Sequence, residues 1–169
     1  MNAVTSPLKV RERKRRIWAE DTSKNVILDG KSGREVSPDS YVCAGPGGTW
    51  RVAAHVEGPG GKYTPLLDPT GREAARLHYV RRRGWSLELP SGETAEASSG
   101  GNLFKAFHCE LGEFSRAKAP YVAPQRYFTL TLTDAALNHP SRDAIAVAAV
   151  WISEQAIAAK ITADLPAFG

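Results

Sequence analysis

Hydrophobic and polar residues alternate over short stretches through most of the chain. In residues 127–134, "YFTLTLTD", the side chains of Phe128, Leu130 and Leu132 fall on one face of an extended chain and the threonines on the other. A period of two is typical of β-strands, because successive side chains point to opposite faces. We therefore predict a succession of short antiparallel strands over residues 17–134. Similar alternation occurs in "TWRVAAHVEG" and "RLHYV".

Turn-forming residues separate these segments. Asp68-Pro69-Thr70-Gly71 and Leu89-Pro90-Ser91-Gly92 both carry Pro at the second position and Gly at the fourth, which favours a type I turn. The offset of 21 residues between the two turn glycines suits a pair of strands and is too short for a βαβ crossover with a normal helix. The Gly-rich stretches "AGPGGTW" and "EGPGGKY" lack the spacing of a phosphate-binding loop, so we interpret them as hairpin or loop glycines.

A single apolar helix is predicted after the strands, over about residues 143–161, with Ser141 or Asp143 as its N-cap. Residues 144–152, "AIAVAAVWI", contain no polar side chain on any face. A surface helix needs a polar stripe, so both faces of this helix must be buried. Nine residues extend only about 14 Å, against roughly 30 Å for the hydrocarbon core of a bilayer. We therefore predict that the helix lies inside the protein and does not span a membrane.

Many strands followed by one buried helix predict a mainly β fold, specifically a closed antiparallel β-barrel of about 12 strands around a hydrophobic C-terminal helix. This arrangement resembles the tubby-like fold, in particular the phospholipid scramblase and LURP-one-related branch. The resemblance rests on "LLDPTGREAARL" and "LELPSGETAEA" as successive hairpins, "YFTLTLTD" as a late strand and "RDAIAVAAVWISE" as the terminal helix, and covers roughly residues 17–160. Because tubby domains bind phosphoinositides, it implies a ligand of that class, but none of the family's binding residues can be matched here.

Positive charge is concentrated near the start of the chain. The protein has 169 residues and a formal net charge of +4, of which residues 9–16 alone contribute +5. We predict a basic, flexible N-terminal tail over residues 1–16 and a tubby-like domain over residues 17–165. An anionic surface would meet the tail first, although a solvated tail that promotes solubility is an equal alternative.

A second basic stretch, "YVRRRGW", places three arginines between Tyr79 and Trp85. Such a segment suits a phosphate group or a membrane interface, and the alternative is a solvated basic turn. The candidate residues for binding an anionic surface are Lys9, Arg11, Arg13, Lys14, Arg15, Arg16, Arg81, Arg82 and Arg83.

Catalytic and cofactor signatures are absent from the sequence. His55, His78, His108 and His139 are scattered, and no zinc motif, EF-hand loop, GxSxG elbow or Walker A loop occurs. We expect no enzymatic activity, no metal site and no cofactor. Cys43 and Cys109 lie among apolar neighbours and are expected to be free thiols in a reducing, cytoplasmic setting. We expect no secretory signal, because no apolar run follows the basic stretch.

The sequence therefore predicts a non-enzymatic tubby-like domain that binds anionic phospholipid or phosphoinositide peripherally. One alternative is a structural module that binds a protein partner. Another is a nucleic-acid-binding protein that uses the basic tail, and the near-neutral charge of the rest of the chain disfavours it. Salt should weaken binding to lipid or nucleic acid and leave an apolar protein contact unchanged.

Overall fold

The computed structural model describes residues 3–13, 16–31, 41–80, 84–98, 107–109, 112–117 and 126–152. Thirteen strands occupy most of these residues, and all of their pairings are antiparallel. The strands are β1 Leu8–Arg13, β2 Arg16–Glu20, β3 Val26–Lys31, β4 Tyr41–Gly45, β5 Gly48–Val52, β6 Val56–Gly58, β7 Gly61–Leu67, β8 Glu73–Val80, β9 Gly84–Glu88, β10 Thr94–Ser98, β11 Phe107–Cys109, β12 Gly112–Ala117 and β13 Arg126–Thr131.

Strand order mostly follows the chain, running β5-β4-β3-β2-β1-β13-β12-β11-β10-β9-β8-β7-β6 across one sheet. The exception is β1, which pairs with β13 and brings Leu8 opposite Leu130. The prediction of a mainly β, antiparallel fold is confirmed.

The predicted closed barrel requires a correction. The two ends of the sheet meet in a short seam, where Arg51 lies opposite Leu67 and Val52 opposite Leu66, with one further backbone hydrogen bond from the Ala53 N–H to the Pro65 oxygen at 3.0 Å. Beyond this point β7 pairs with β6 instead of β5. The sheet is therefore rolled and joined at the seam, and it is not closed along the length of its edge strands.

The two Pro/Gly turns form as predicted. The N–H of Gly71 donates to the Asp68 carbonyl and that of Gly92 to the Leu89 carbonyl, each at 2.9 Å. Both glycines have positive φ angles, 82° and 86°, which residues with a side chain rarely adopt. These turns join β7 to β8 and β9 to β10, so the repeated sequence corresponds to two hairpins with the same hydrogen-bond pattern.

Two helices follow β13: α1, Asp134–Leu137, and α2, residues 142–152. The Ile145 N–H donates to the Ser141 carbonyl at 2.9 Å, which places Ser141 at the N-cap position and Asp143 inside the first turn. Every residue from 144 to 152 is at most 7% exposed. Burial of both faces of the helix is thus confirmed, while the predicted extension to residue 161 lies outside the described residues.

Helix α2 belongs to a single hydrophobic core, to which strands all around the rolled sheet contribute. Near its start, His139 Nε2 lies 2.8 Å from Glu93 Oε2 in the β9–β10 turn. Near its described end, the ring of Trp151 packs edge-on against Trp85 at the start of β9, with 4.6 Å between ring centroids. The helix therefore runs from one end of the sheet to the other through the core. Among the described residues, none of the helices has the length and apolarity to cross a membrane.

The N-terminal segment is not a flexible tail over residues 8–13, which is a second correction. These residues form β1, which pairs with both β2 and β13 and buries Leu8 and Val10. Ser6 is also fixed, since its hydroxyl donates to the Leu132 carbonyl at 3.0 Å and accepts from the Leu132 N–H at 2.9 Å. Burial of the alternating apolar side chains stabilises this strand despite the charge of the segment. The charge does not oppose burial, because the cations point outward.

One close contact in the core fixes the identity of a glycine. A β-carbon added at Gly30 of β3 would lie 2.9 Å from Cε2 of the buried Tyr41 ring and closer still to its Cζ and hydroxyl. We expect Gly30→Ala to lower the free energy of unfolding by about 1–3 kcal/mol, because the Tyr41 ring must shift. Urea denaturation would measure this, with Gly60→Ala as the control, since a β-carbon there meets no atom within 4 Å. Equal stability of the two variants would contradict the packing.

Candidate anionic-surface site

The basic N-terminal residues lie on the outer face of the sheet. Along β1 the side chains of Leu8 and Val10 point into the core, and those of Lys9, Arg11 and Arg13 point outward. Strand β2 continues this face, because Ile17 and Ala19 are buried while Arg16, Trp18 and Glu20 are not. Four of the predicted cations, Lys9, Arg11, Arg13 and Arg16, are thereby brought together on one surface.

Register extends this surface across five strands. Arg13 lies opposite Arg16, and Arg16 opposite Lys31. Lys31 lies opposite Val42, which in turn lies opposite Arg51 of β5. We call Arg13, Arg16, Lys31 and Arg51 the basic row.

Like charges at directly opposed positions destabilise a sheet. In the basic row, an ion pair within the protein offsets this repulsion only at Arg16, among the described residues. Arg16 makes two hydrogen bonds to the Asp29 carboxylate, at 2.8 and 2.6 Å, which raise the pKa of its guanidinium. The other three members are exposed, and within the described part of the chain no ion pair is made by Arg13, Lys31 or Arg51. These three cations remain available to an external anion.

An aromatic side chain stands beside the basic row. The Arg16 guanidinium lies 4.9 Å from the ring centroid of Trp18. The Trp18 indole N–H donates to Glu20 at 2.8 Å, and Glu20 also pairs with Arg11 at 3.1 Å. These contacts fix the orientation of Arg16 and Trp18 on the outer face.

The remaining predicted candidates, Lys14, Arg15, Arg81, Arg82 and Arg83, lie outside the described residues. Conversely, sequence reasoning missed Lys31 and Arg51. Alternation alone places each of these on the outer face of its strand, but their alignment with Arg13 and Arg16 depends on strand register, which the local sequence does not specify.

Three cations of the basic row lie at one end of the sheet. Arg13 ends β1, Arg16 begins β2 and Lys31 ends β3, and the antiparallel order brings these positions together. The end of β8 and the start of β9 lie at this same end. We call it the basic end.

Carboxylates occupy the turns at the opposite end, which we call the acidic end. Asp21 lies in the β2–β3 turn, Asp68 in the β7–β8 turn and Glu93 in the β9–β10 turn. Hydrogen bonds from Asn25, Thr70 and Ser91, respectively, are the main cause that lowers the pKa of each carboxyl. These groups therefore stay ionised at neutral pH. Lys24 and Arg72 share the turns of Asp21 and Asp68, so this end has no excess of positive charge like that of Arg13, Arg16 and Lys31 at the basic end.

A separate polar cluster covers the outer face of β7, β8 and β9. Arg76 pairs with Glu73 at 2.6 Å and lies 4.8 Å from the Tyr63 ring centroid. His78 lies 2.8 Å from Glu88. Because the Arg76 guanidinium is paired with the carboxylates of Glu73 and Glu88, this face offers no surplus positive charge to an anionic ligand.

The other candidate groups for chemistry are dispersed. His78 and His108 lie in strands as predicted, and His139 bonds Glu93. Over the residues that the structure describes, no three His, Cys, Asp or Glu side chains converge as a metal site would require. Cys43 is a buried free thiol as predicted, and burial raises its pKa to about 11, which makes it unreactive at neutral pH.

No protein-family model matches the chain. No solved structure matches it either.

Proposed function

We propose that this protein is a non-enzymatic, peripheral binder of anionic phospholipid. The observation that carries the proposal is the basic row, with three exposed cations that make no ion pair among the described residues. A surface that assembles like charges from β1, β2, β3 and β5, at a cost in stability, is explained by an anionic partner that offsets the repulsion.

The shape of the row favours a surface of headgroups over a single enclosed anion. Strands lie about 4.8 Å apart, so four spacings between β1 and β5 extend the row over about 19 Å. Each Lys or Arg near an anionic bilayer contributes about 1 kcal/mol. Binding should therefore depend on the density of negative lipid, with phosphoinositides as strong contributors because each carries several charges.

We also propose that the rolled sheet around α2 belongs to the tubby-like superfamily. The buried helix and the strand order, in which the ends of the sheet meet, support this arrangement. It is the arrangement that the resemblance to the scramblase and LURP-one-related proteins implies.

Flotation with liposomes tests the lipid proposal. We expect the chain to float with vesicles of phosphatidylcholine containing phosphatidylserine or phosphoinositide, to stay unbound with phosphatidylcholine alone, and to bind less as salt rises. Lys31→Gln/Arg51→Gln should lose about 2 kcal/mol of binding free energy, a weakening of about 30-fold.

A matched single variant removes charge elsewhere. Lys24 is an exposed residue of the β2–β3 turn, at the opposite end of β3 from Lys31. Lys24→Gln should change binding by less than about twofold, since this position lies more than a Debye length from Lys31, whereas Lys31→Gln alone should weaken binding about fivefold. Equal weakening by both variants would mean that binding depends on the net charge of the protein and not on the position of the basic row. Absence of flotation under every condition would reject lipid binding in favour of a protein or nucleic-acid partner.

A further inference from the structure

We infer that the basic end faces the membrane and that Tyr79 enters the interface, so the molecule docks end-on with the acidic end directed away from the lipid. This orientation rests on the proposed lipid binding and adds to it the contact surface and the residue that inserts.

Exposed apolar side chains coincide with the basic end. Among the described residues, the large hydrophobic side chains that are exposed are Tyr79, at 65%, and Val56, at 41%. Tyr79 is the penultimate residue of β8. Val56 lies opposite Tyr63, whose ring is 5.8 Å from that of His78, so Val56 is at nearly the same level of the sheet. A pair of exposed apolar groups at one end suits partial insertion into a bilayer.

Stacked rings hold Tyr79 in place. Its ring packs edge-on against Trp85 at 5.3 Å, and Trp85 packs in the same way against the buried Trp151 at 4.6 Å. This ladder connects an exposed phenol to the helix inside the sheet. A side chain that is already oriented loses less conformational entropy when it inserts, and Tyr, with an apolar ring and a polar hydroxyl, favours the membrane–water interface.

Charge sets the direction of approach. The ends of β1 and β3 and the start of β2 present Arg13, Lys31 and Arg16. At the other end the ionised carboxyls of Asp21, Asp68 and Glu93 outnumber the cations of the same turns, Lys24 and Arg72, so that end does not attract an anionic surface. An anionic bilayer therefore orients the molecule before Tyr79 makes contact.

A lipid surface explains these features better than a nucleic acid does. Phosphates and stacked bases would account for the cations and for Tyr79. Val56 is aliphatic and gains little from base stacking, whereas it gains free energy by leaving water for acyl chains. Binding to a homopolymeric RNA without binding to vesicles would overturn the inference.

Site-specific fluorescence distinguishes the ends. An environment-sensitive dye is attached to Tyr79→Cys or, as the matched control, to Thr94→Cys, an exposed position beginning β10 at the acidic end. Both variants carry Cys109→Ser, and Cys109→Ser alone reports residual labelling of the buried Cys43. We expect phosphatidylserine-containing vesicles to shift the dye at residue 79 to the blue, and nitroxide-labelled lipid to quench it, with neither effect at residue 94.

The outcomes separate this inference from the proposed function. Flotation of the unlabelled chain with equal quenching at both positions, or with quenching at residue 94 alone, would overturn end-on docking and leave lipid binding in place. Flotation without a spectral change at residue 79 would mean that only the cations touch the membrane and would also overturn it. If the unlabelled chain fails to float, both proposals are rejected together.

Discussion

Val147→Asp will leave little folded protein at 25 °C. Val147 lies on α2 and is 1% exposed. Among the described residues the buried polar or charged side chain is that of Thr64. The described core therefore holds no cation that could pair with the new carboxylate. An unpaired buried charge costs more than about 4 kcal/mol, which approaches the total stability of a typical domain, roughly 5–15 kcal/mol. Near-ultraviolet circular dichroism and urea denaturation would measure the loss.

The control places the same carboxylate on a helix that faces water. Ala135 of α1 is exposed, and a carboxylate in the first turn of a helix is electrostatically favourable. Ala135→Asp should therefore change stability by less than about 0.5 kcal/mol. If Val147→Asp unfolds cooperatively at nearly the same urea concentration as the parent, the enclosure of α2 by the sheet is wrong.

Trp151→Ala will lower the free energy of unfolding by about 3–5 kcal/mol, because it empties a large volume beside the described end of α2. The contact with Trp85 adds to the loss, since stacked aromatic pairs contribute about 0.5–1.5 kcal/mol beyond their buried area. Trp85 would then lose the ring that supports it, and Tyr79 would become more mobile. Urea denaturation gives the stability, and the fluorescence anisotropy of a dye at residue 79 gives the mobility.

Trp18→Ala is the matched control for this variant. Trp18 lies on the outer face, where it contacts Arg16 and donates to Glu20, so its loss creates no cavity in the core. We expect a cost below about 2 kcal/mol and no change in anisotropy at residue 79. Similar costs for the two tryptophan variants would contradict the assignment of Trp151 to the core and of Trp18 to the surface.

Local signals account for the parts of the fold that were predicted. The alternation in β13, the Pro and Gly positions in the two hairpin turns, and the unbroken apolar run of α2 each specify a backbone geometry from neighbouring residues. Leu8 and Val10 alternate with cations in the same way, yet the high charge of the segment concealed a strand. This segment was thus predicted to be a tail where the structure has a strand over Leu8–Arg13.

No such local signal indicated the basic row, the seam between β5 and β7, or the stacking of Tyr79, Trp85 and Trp151. Arg51 joins Arg13 through four successive strand pairings, and Leu8 reaches Leu130 across almost the whole chain. Trp85 meets Trp151 because α2 passes through the core from the acidic end. Apart from β1 and α1, the sequence by itself determined which segments are strands, turns and buried helix, because hydrogen bonding and burial patterns act over a few residues. Only the tertiary structure decided which strands are neighbours and where like charges align, because register depends on packing between residues far apart in the chain.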